Sequence, residues 1–204
     1  MKIKPAAFAV ALLLPLCLTA CGGARKESSD QGKVLSGSKD STVRIEVFSD
    51  MQCPACRALF IETLKPLMED YEDKVSVVYY DFPLSNHKYA HPAAQYVTAA
   101  AKLGRRQLLS VFDAIYKDQA YWGRDGNLED AVAKALSADD FTKIRQILQD
   151  SDSLAEINAT IAKELQMGRQ KDIRSTPTMF ISNGGREQRV EGKLPYMALK
   201  QFLK

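Results

Sequence analysis

A Cys-Pro-Ala-Cys motif, Cys53 to Cys56, constrains the fold of this chain more than any other feature. It closely follows the run 42–48, in which polar and apolar residues alternate as in a half-buried strand. From the motif onward, apolar positions recur at helical steps of three or four: Cys56, Leu59, Phe60, Leu64, Leu67 and Tyr71. A strand that leads into two cysteines at the start of a helix is typical of a thiol–disulfide redox centre.

The position of the motif at a helix start predicts different roles for its two cysteines. The free amides and the positive end of the helix dipole favour a thiolate at Cys53. Pro54 and Ala55 begin the helix, and proline suits the first helical position because its missing N–H costs nothing there. Disulfide exchange needs an exposed thiolate and a second thiol that resolves the mixed disulfide. We therefore predict that Cys53 is the nucleophile and Cys56 the resolving cysteine.

Residues 1–20 predict an export signal that is not part of the fold. Two lysines form a basic start, and the apolar segment 6–16 is shorter than the about 20 residues that a membrane span needs. The ending Leu-Thr-Ala-Cys resembles the lipobox of bacterial lipoproteins, which implies cleavage before Cys21 and lipidation of that residue. The alternative is an ordinary signal peptide beside a cysteine. Gly22 favours the outer membrane over the inner one in a bacterium that has both.

Residues 21–41 are polar and lack apolar periodicity, so we predict a lipidated flexible tether followed by one domain over 42–204. With Cys17 lost in the leader and Cys21 lipidated, only the redox pair remains for the fold. The implied compartment outside the cytoplasm is oxidising, as disulfide chemistry requires. Loss of the leader's two lysines lowers the formal net charge from +3 to +1. This near neutrality argues against nucleic acid as a partner.

The remaining pattern predicts an α/β fold with a helical insertion. A second strand covers 75–80, helical periodicity runs from about 92 to 174, and strand character returns at 178–181. An Asn-Gly-Gly turn and the run 188–191 complete a hairpin signature, and a last helix follows. The predicted order is strand, redox helix, strand, helical block, hairpin and helix.

From about Val43 to Lys204 the chain resembles the DsbA-like thiol–disulfide oxidoreductases. The resemblance is carried by three separated motifs: Phe48-Ser49-Asp50-Met51-Gln52-Cys53-Pro54-Ala55-Cys56; Phe82-Pro83-Leu84 with His87-Lys88-Tyr89-Ala90 and Ala93-Ala94; and Ser175-Thr176-Pro177-Thr178-Met179-Phe180-Ile181. It implies a thioredoxin-like fold with a helical insertion between the second strand and a cis-proline hairpin. It also implies that Pro177 is cis beside the redox pair, and that Thr176 offers backbone groups to an extended substrate.

The chain departs from this family at two positions. Many thioredoxin-fold oxidoreductases carry a buried carboxylate six residues before the nucleophile, where this chain has Val47; Glu46 should face the other way by strand alternation. Proton transfer at Cys56 must then use water or another group. The strongest oxidants of the family have His beside the resolving cysteine, where this chain has Ala55. We therefore predict a less oxidising pair than theirs.

The resemblance implies exchange on protein thiols and disulfides, most readily dithiol oxidation, with no cofactor beyond the Cys53–Cys56 disulfide itself. It also implies recycling by a membrane quinone-linked oxidase, either DsbB-like or of the vitamin K epoxide reductase type. A reductase or isomerase of the same fold would use the same residues, because direction depends on potential and partner.

Two alternatives come from other functional classes. The redox pair together with His87 and His91 supplies the ligand types of a structural zinc site. The spacing from Cys56 to His87 far exceeds that of a zinc finger, however, so we predict no metal. A tethered peptide-binding module is the other alternative, and the presence of both Cys53 and Cys56 argues against it.

Overall fold

The computed structural model describes residues 1, 32–38, 41–72 and 74–203, and within them a five-stranded sheet has the order β1-β3-β2-β4-β5. The strands are Lys33–Ser36 (β1), Val43–Ser49 (β2), Val75–Asp81 (β3), Thr178–Asn183 (β4) and Arg186–Glu191 (β5). β2 runs parallel to β3, whereas the β1–β3, β2–β4 and β4–β5 pairs are antiparallel.

Helices lie between the strands and after the last strand. They are Pro54–Leu59 (α1), Lys65–Asp70 (α2), Ala90–Leu103 (α3), Arg105–Lys117 (α4), Gln119–Asp125 (α5), Leu128–Ala135 (α6), Ala138–Gln149 (α7), Ser151–Gln170 (α8) and Tyr196–Leu199 (α9). A π-helical stretch, Phe60–Leu64, joins α1 to α2, and a 3-10 turn, Lys200–Leu203, follows α9. Because α3 to α8 lie between β3 and the β4–β5 hairpin, the predicted α/β architecture with a helical insertion is confirmed.

Apolar side chains cover both faces of the central strands. On one face of β2, Val43, Ile45 and Val47 belong to the main core. On the other face, Phe48 stacks on Tyr80 with ring centroids 4.7 Å apart, within a smaller core. Every residue of β3 is buried, as expected for a strand that pairs on both edges and packs on both faces. The redox motif therefore follows directly from a rigid central strand.

The predicted tether is wrong at its C-terminal end. Residues 33–36 form β1, which pairs with β3, and Leu35 is buried in the main core. With only two apolar residues in four, this strand has too little periodicity of its own to be found in the sequence. It forms because β3 presents a free edge that needs backbone partners. The predicted leader, Cys17, Cys21 and the start of the tether lie outside the described residues.

A buried ion cluster joins β1 to the insertion. The Lys33 ammonium lies 2.7 Å from the carboxylate of Asp81 at the end of β3 and 2.8 Å from that of Glu164 on α8. The backbone N–H of Asp81 donates to Glu164 at 2.5 Å, and the Thr98 hydroxyl donates to Asp81 at 3.1 Å. These three charged side chains are at most 6% exposed. Two carboxylates therefore share one ammonium inside the fold.

Across the described part of the chain, no helix is both long enough and apolar enough to cross a membrane.

Candidate active site

The two cysteines lie where β2 passes through a short loop into α1. Cys53 is the N-cap residue of α1 with an extended backbone, and its carbonyl accepts a hydrogen bond from the N–H of Arg57 at 3.1 Å. Pro54 occupies the first helical turn, as predicted. Cys53 keeps 8% of its surface exposed, whereas Cys56 keeps 1%, and the two are free thiols. An incoming sulfur atom therefore reaches Cys53 first.

The Cys53 thiol is held against the cis-proline loop. Its Sγ donates to the carbonyl oxygen of Thr176 at 3.4 Å, and the Thr176–Pro177 peptide is cis, as the resemblance implied. The buried Thr176 hydroxyl helps to lower the pKa of the Cys53 thiol and makes no other hydrogen bond within the described residues. The fold thus brings the third motif next to the first, and the backbone carbonyl and side-chain hydroxyl of Thr176 lie beside the reactive sulfur.

The environment separates the acidities of the two thiols. The pKa of Cys53 is lowered from 9.0 to about 5, first by the hydrogen bond from the Cys56 thiol and further by the backbone amides of Cys56 and Ala55, against the opposing effect of burial. The pKa of Cys56 is raised well above its usual value, first by burial and then by the neighbouring Cys53. At neutral pH the site therefore holds a Cys53 thiolate and a Cys56 thiol.

We expect the alkylation of reduced Cys53 by iodoacetamide to reach half its maximal rate near pH 5, because only the thiolate reacts and the pKa is about 5. Mass spectrometry of the alkylated chain locates the label. In Cys56→Ala the midpoint should move toward 9.0, since the largest cause of the low pKa is removed. A wild-type midpoint between about 8 and 9, the range of an ordinary cysteine, would contradict this assignment.

Side chains from the insertion hold the active-site loop in place. Gln119 of α5 is buried, and its amide donates to the carbonyls of Met51 at 2.8 Å and of Cys53 at 3.1 Å. Gln52 donates to the carbonyl of Gly123 at 3.2 Å and accepts from the N–H of Tyr89 at 2.7 Å. The roles of both glutamines could not be predicted from the sequence, because a glutamine near a helix or loop carries no signal of a partner elsewhere in the chain.

We expect Gln119→Leu to lower the free energy of unfolding by about 1–3 kcal/mol, because two buried carbonyls lose their donor. Urea unfolding monitored by circular dichroism measures the change. Gln149→Leu is a matched control, since Gln149 is exposed on α7, and it should stay within about 0.5 kcal/mol of the wild type. Equal losses in the two variants would show that the Gln119 contacts contribute no specific stability.

Asp50 connects the first motif to the second. Its buried carboxylate accepts from the N–H of Gln52 at 2.7 Å, from the N–H of Leu84 at 2.8 Å and from Nδ1 of His87 at 2.8 Å. His87 is thus engaged with Asp50, and His91 is exposed on α3. The residues that the structure describes contain no group of three or more His, Cys, Asp or Glu side chains that could hold a metal ion.

The structure agrees with the predicted departure at Val47. Val47 is 1% exposed and belongs to the main core, so no carboxylate occupies that place on β2. Glu46 lies on the opposite face, where its carboxylate is 3.1 Å from Arg44 and 3.5 Å from Lys171. Strand alternation therefore placed Glu46 correctly. Cys53, Cys56, Thr176 and Pro177 come together at one site, whereas Cys21 lies outside the described residues.

Comparison with known proteins agrees with a thiol–disulfide redox site on a thioredoxin-like fold. The thioredoxin family matches residues 29–204. The chain is also similar to the probable disulfide bond formation protein D of Bacillus cereus and of Bacillus anthracis. Each of these is 25% identical over 152 residues, covering 72% of this chain and 68% of the relative.

Solved structures share the architecture. DsbA2 of Pseudomonas aeruginosa matches with a TM-score of 0.67 and 24% identity, over 85% of this chain and 92% of that one. The catalytic domain of ScsC from Proteus mirabilis matches with a TM-score of 0.68 and 22% identity, over 86% of this chain and 89% of that one. The predicted DsbA-like fold is thereby confirmed.

Proposed function

The chain belongs to the thioredoxin family as a DsbA-like thiol:disulfide oxidoreductase, and we propose that it oxidises dithiols of protein substrates outside the cytoplasm. The observation that carries this proposal is the asymmetry of the pair. Cys53 has a pKa of about 5 beside a cis-proline loop, whereas Cys56 is buried with a raised pKa. A stabilised Cys53 thiolate is a good leaving group and favours the reduced form of the enzyme, as in oxidants of this fold.

The exchange follows from this geometry in two steps. A substrate thiolate attacks Sγ of Cys53 in the oxidised pair, a substrate–Cys53 disulfide forms, and Cys56 leaves as a thiolate that then takes a proton. A second substrate thiolate attacks the substrate sulfur of the mixed disulfide, and Cys53 leaves as its stabilised thiolate. The substrate loses two electrons and gains a disulfide, and the enzyme pair becomes a dithiol.

Thr176 and Pro177 are proposed to bind the substrate backbone beside Cys53. The Thr176–Pro177 peptide is cis, and the carbonyl of Thr176 lies 3.4 Å from the Cys53 sulfur. In a mixed disulfide that carbonyl can accept a hydrogen bond from an N–H of an extended segment, and the Thr176 hydroxyl can donate one to a carbonyl of that segment. The choice of substrate would then depend on whether its backbone can lie extended beside Cys53 more than on the identity of its side chains.

The direct test mixes the oxidised protein with one equivalent of a reduced peptide that contains two cysteines. We expect one peptide disulfide and one Cys53–Cys56 dithiol per turnover, with both species identified by mass spectrometry after acid quenching and alkylation. An oxidised protein that leaves the peptide reduced, while its reduced form reduces peptide disulfides rapidly, would favour the reductase alternative. Repair of a mispaired two-disulfide peptide without net oxidation would favour an isomerase.

Oxidation in vivo requires a route for the two electrons. We propose a membrane quinone-linked oxidase, DsbB-like or of the vitamin K epoxide reductase type, that takes them from the Cys53–Cys56 dithiol. The name of the Bacillus relatives, disulfide bond formation protein D, supports the oxidative direction. Catalytic turnover on addition of membranes, blocked by a quinone-site inhibitor, would identify this route.

We propose that Cys21 carries a lipid that anchors the domain to the cell envelope, facing away from the cytoplasm and preferably on the outer membrane where two membranes exist. Cys21→Ser should then move the protein from the membrane fraction to the soluble fraction and abolish incorporation of labelled palmitate. Cys17→Ser is the matched control and should change neither. Unchanged membrane association of Cys21→Ser would contradict lipid anchoring.

A further inference from the structure

Each direction of exchange places a negative charge on the buried Cys56 sulfur for a moment. Cys56 leaves as a thiolate when a substrate attacks Cys53, and it must become a thiolate to resolve a mixed disulfide. The Cys56 residue is 1% exposed, and Val47 supplies no carboxylate to exchange a proton with it. A charge in such a place is costly unless hydrogen-bond donors surround it. A Cys56 thiolate therefore needs hydrogen-bond donors beside its sulfur.

One donor is a backbone group of the active-site loop. The N–H of Asp50 points at Sγ of Cys56 at 3.5 Å. A second candidate is the hydroxyl of Ser49, the last residue of β2 and the chain neighbour of Asp50; it is buried near Cys56 and lowers the pKa of that thiol against the dominant effect of burial. Both groups come from the segment that links β2 to the motif, so their positions are fixed by the central strand.

A tyrosine from the insertion completes the arrangement. The hydroxyl of Tyr116 on α4 lies 3.3 Å from Oγ of Ser49, and both residues are buried. Burial raises the pKa of Tyr116 well above its usual value, so its hydroxyl keeps its proton. When the serine proton points to Cys56, the serine oxygen can still accept from Tyr116. The phenol thereby orients the serine as a donor to sulfur.

We propose that the Ser49 hydroxyl, oriented by Tyr116, is the hydrogen-bond donor that supports the Cys56 thiolate, in the place where other members of the fold use a buried carboxylate. In this proposal Ser49 donates to the reacting sulfur, and Tyr116 is a positioning residue that bonds Ser49 at 3.3 Å. This inference rests on the proposed exchange function. The proposed role concerns only the steps in which Cys56 reacts, because the Ser49 and Tyr116 hydroxyls bond each other whereas the Cys53 sulfur bonds Thr176.

The test measures the reaction rates of the two cysteines separately within one reaction. Reduced protein is mixed with a chromogenic aromatic disulfide in a stopped-flow instrument. The Cys53 thiolate attacks first and releases one aromatic thiolate. Cys56 then loses its proton to the buffer, attacks the Cys53 sulfur and releases the second aromatic thiolate. Two electrons pass from the pair to the reagent, so the first absorbance phase reports Cys53 and the second reports Cys56.

In Ser49→Ala we expect the second phase to slow about tenfold, the effect of one lost hydrogen bond to a charged group, while the first phase stays within about twofold of the wild type. Ser49→Thr keeps a hydroxyl and should restore the second phase to within about threefold. Tyr116→Phe should slow the second phase alone, by a smaller factor. Tyr79→Phe is the matched control, because that buried hydroxyl donates to the Ser49 carbonyl at 3.2 Å and not to its side chain.

An unchanged second phase in Ser49→Ala would overturn the proposal, and so would equal slowing of both phases, which would mark a general structural defect. If Ser49→Ala does not fold, Tyr116→Phe decides by the same criteria. Failure of the exchange function itself gives a different result, because the wild-type protein would then release only one aromatic thiolate or none.

Discussion

Cys56→Ser is expected to accumulate a covalent complex with its substrate. Cys53 keeps its accessible edge beside the cis-proline loop, so its thiolate can still attack the disulfide of an oxidised peptide substrate, releasing one peptide thiolate and forming a mixed disulfide with the other sulfur. The resolving thiol is gone, so that intermediate can leave only through a second substrate thiol or an external thiol. Net oxidation by the isolated protein should fall by at least about a thousandfold, because the Cys53–Cys56 disulfide that supplies the oxidising equivalents cannot form.

Non-reducing electrophoresis and intact-mass spectrometry measure the complex, which should disappear when a reductant is added. Cys53→Ser is the matched control. It should form no complex and lose activity to the same extent, since the remaining Cys56 is buried and its pKa is raised well above its usual value. Accumulation of the complex through Cys56 in Cys53→Ser would contradict the assigned roles.

The second large effect concerns the buried ion cluster of Lys33, Asp81 and Glu164. We expect Lys33→Met to lower the free energy of unfolding by about 3–5 kcal/mol, because two buried carboxylates lose the ammonium group that they share. The loss should also release β1 from the sheet, since Lys33 joins that strand to α8. Urea unfolding gives the energy, and hydrogen exchange of the amides on β1 and on the paired edge of β3 gives the location.

Glu164→Gln should be far milder, and this contrast tests the charge argument. Burial raises the pKa of Glu164 to about 7, against the opposing effect of the Lys33 ammonium. Between about 4.5 and 7 the folded chain therefore holds more protons at this site than the unfolded chain, so its contribution to stability falls as pH rises through that window. Glutamine should remove this pH dependence of stability and leave one ammonium, Lys33, paired with one carboxylate, Asp81. A larger loss in Glu164→Gln than in Lys33→Met would contradict this view.

Local patterns in the sequence were sufficient to predict the redox helix and the general order of helices and strands. The strand alternation before Cys53, the proline at the first helical turn and the apolar period behind the motif each act within a few residues. The position of Glu46 on the face opposite Val47 follows from the same short-range geometry. The insertion was found because its helices have strong periodicity over a long stretch.

The contacts that shape the site could not be predicted because they join residues far apart in sequence. Ser49 and Tyr116 are separated by 67 residues, and Gln119 and Cys53 by 66. Asp50 binds His87 across 37 positions, although both belong to recognised motifs. Strand β1 could not be predicted for the same reason. It forms through pairing with the edge of β3 and through the ion pairs of Lys33, and not through the pattern of its own four residues.

The reduction potential of the Cys53–Cys56 pair tests the central claim most directly. A soluble chain that begins after Cys21 would be equilibrated in glutathione buffers and its redox state read by alkylation and mass. The low pKa of Cys53 and the alanine at position 55 together predict a value between about −120 and −180 mV, which suits a donor of disulfides with less oxidising power than the strongest member of the fold. A value near about −270 mV, like that of thioredoxin, would contradict the account and assign the chain to the reduction of disulfides.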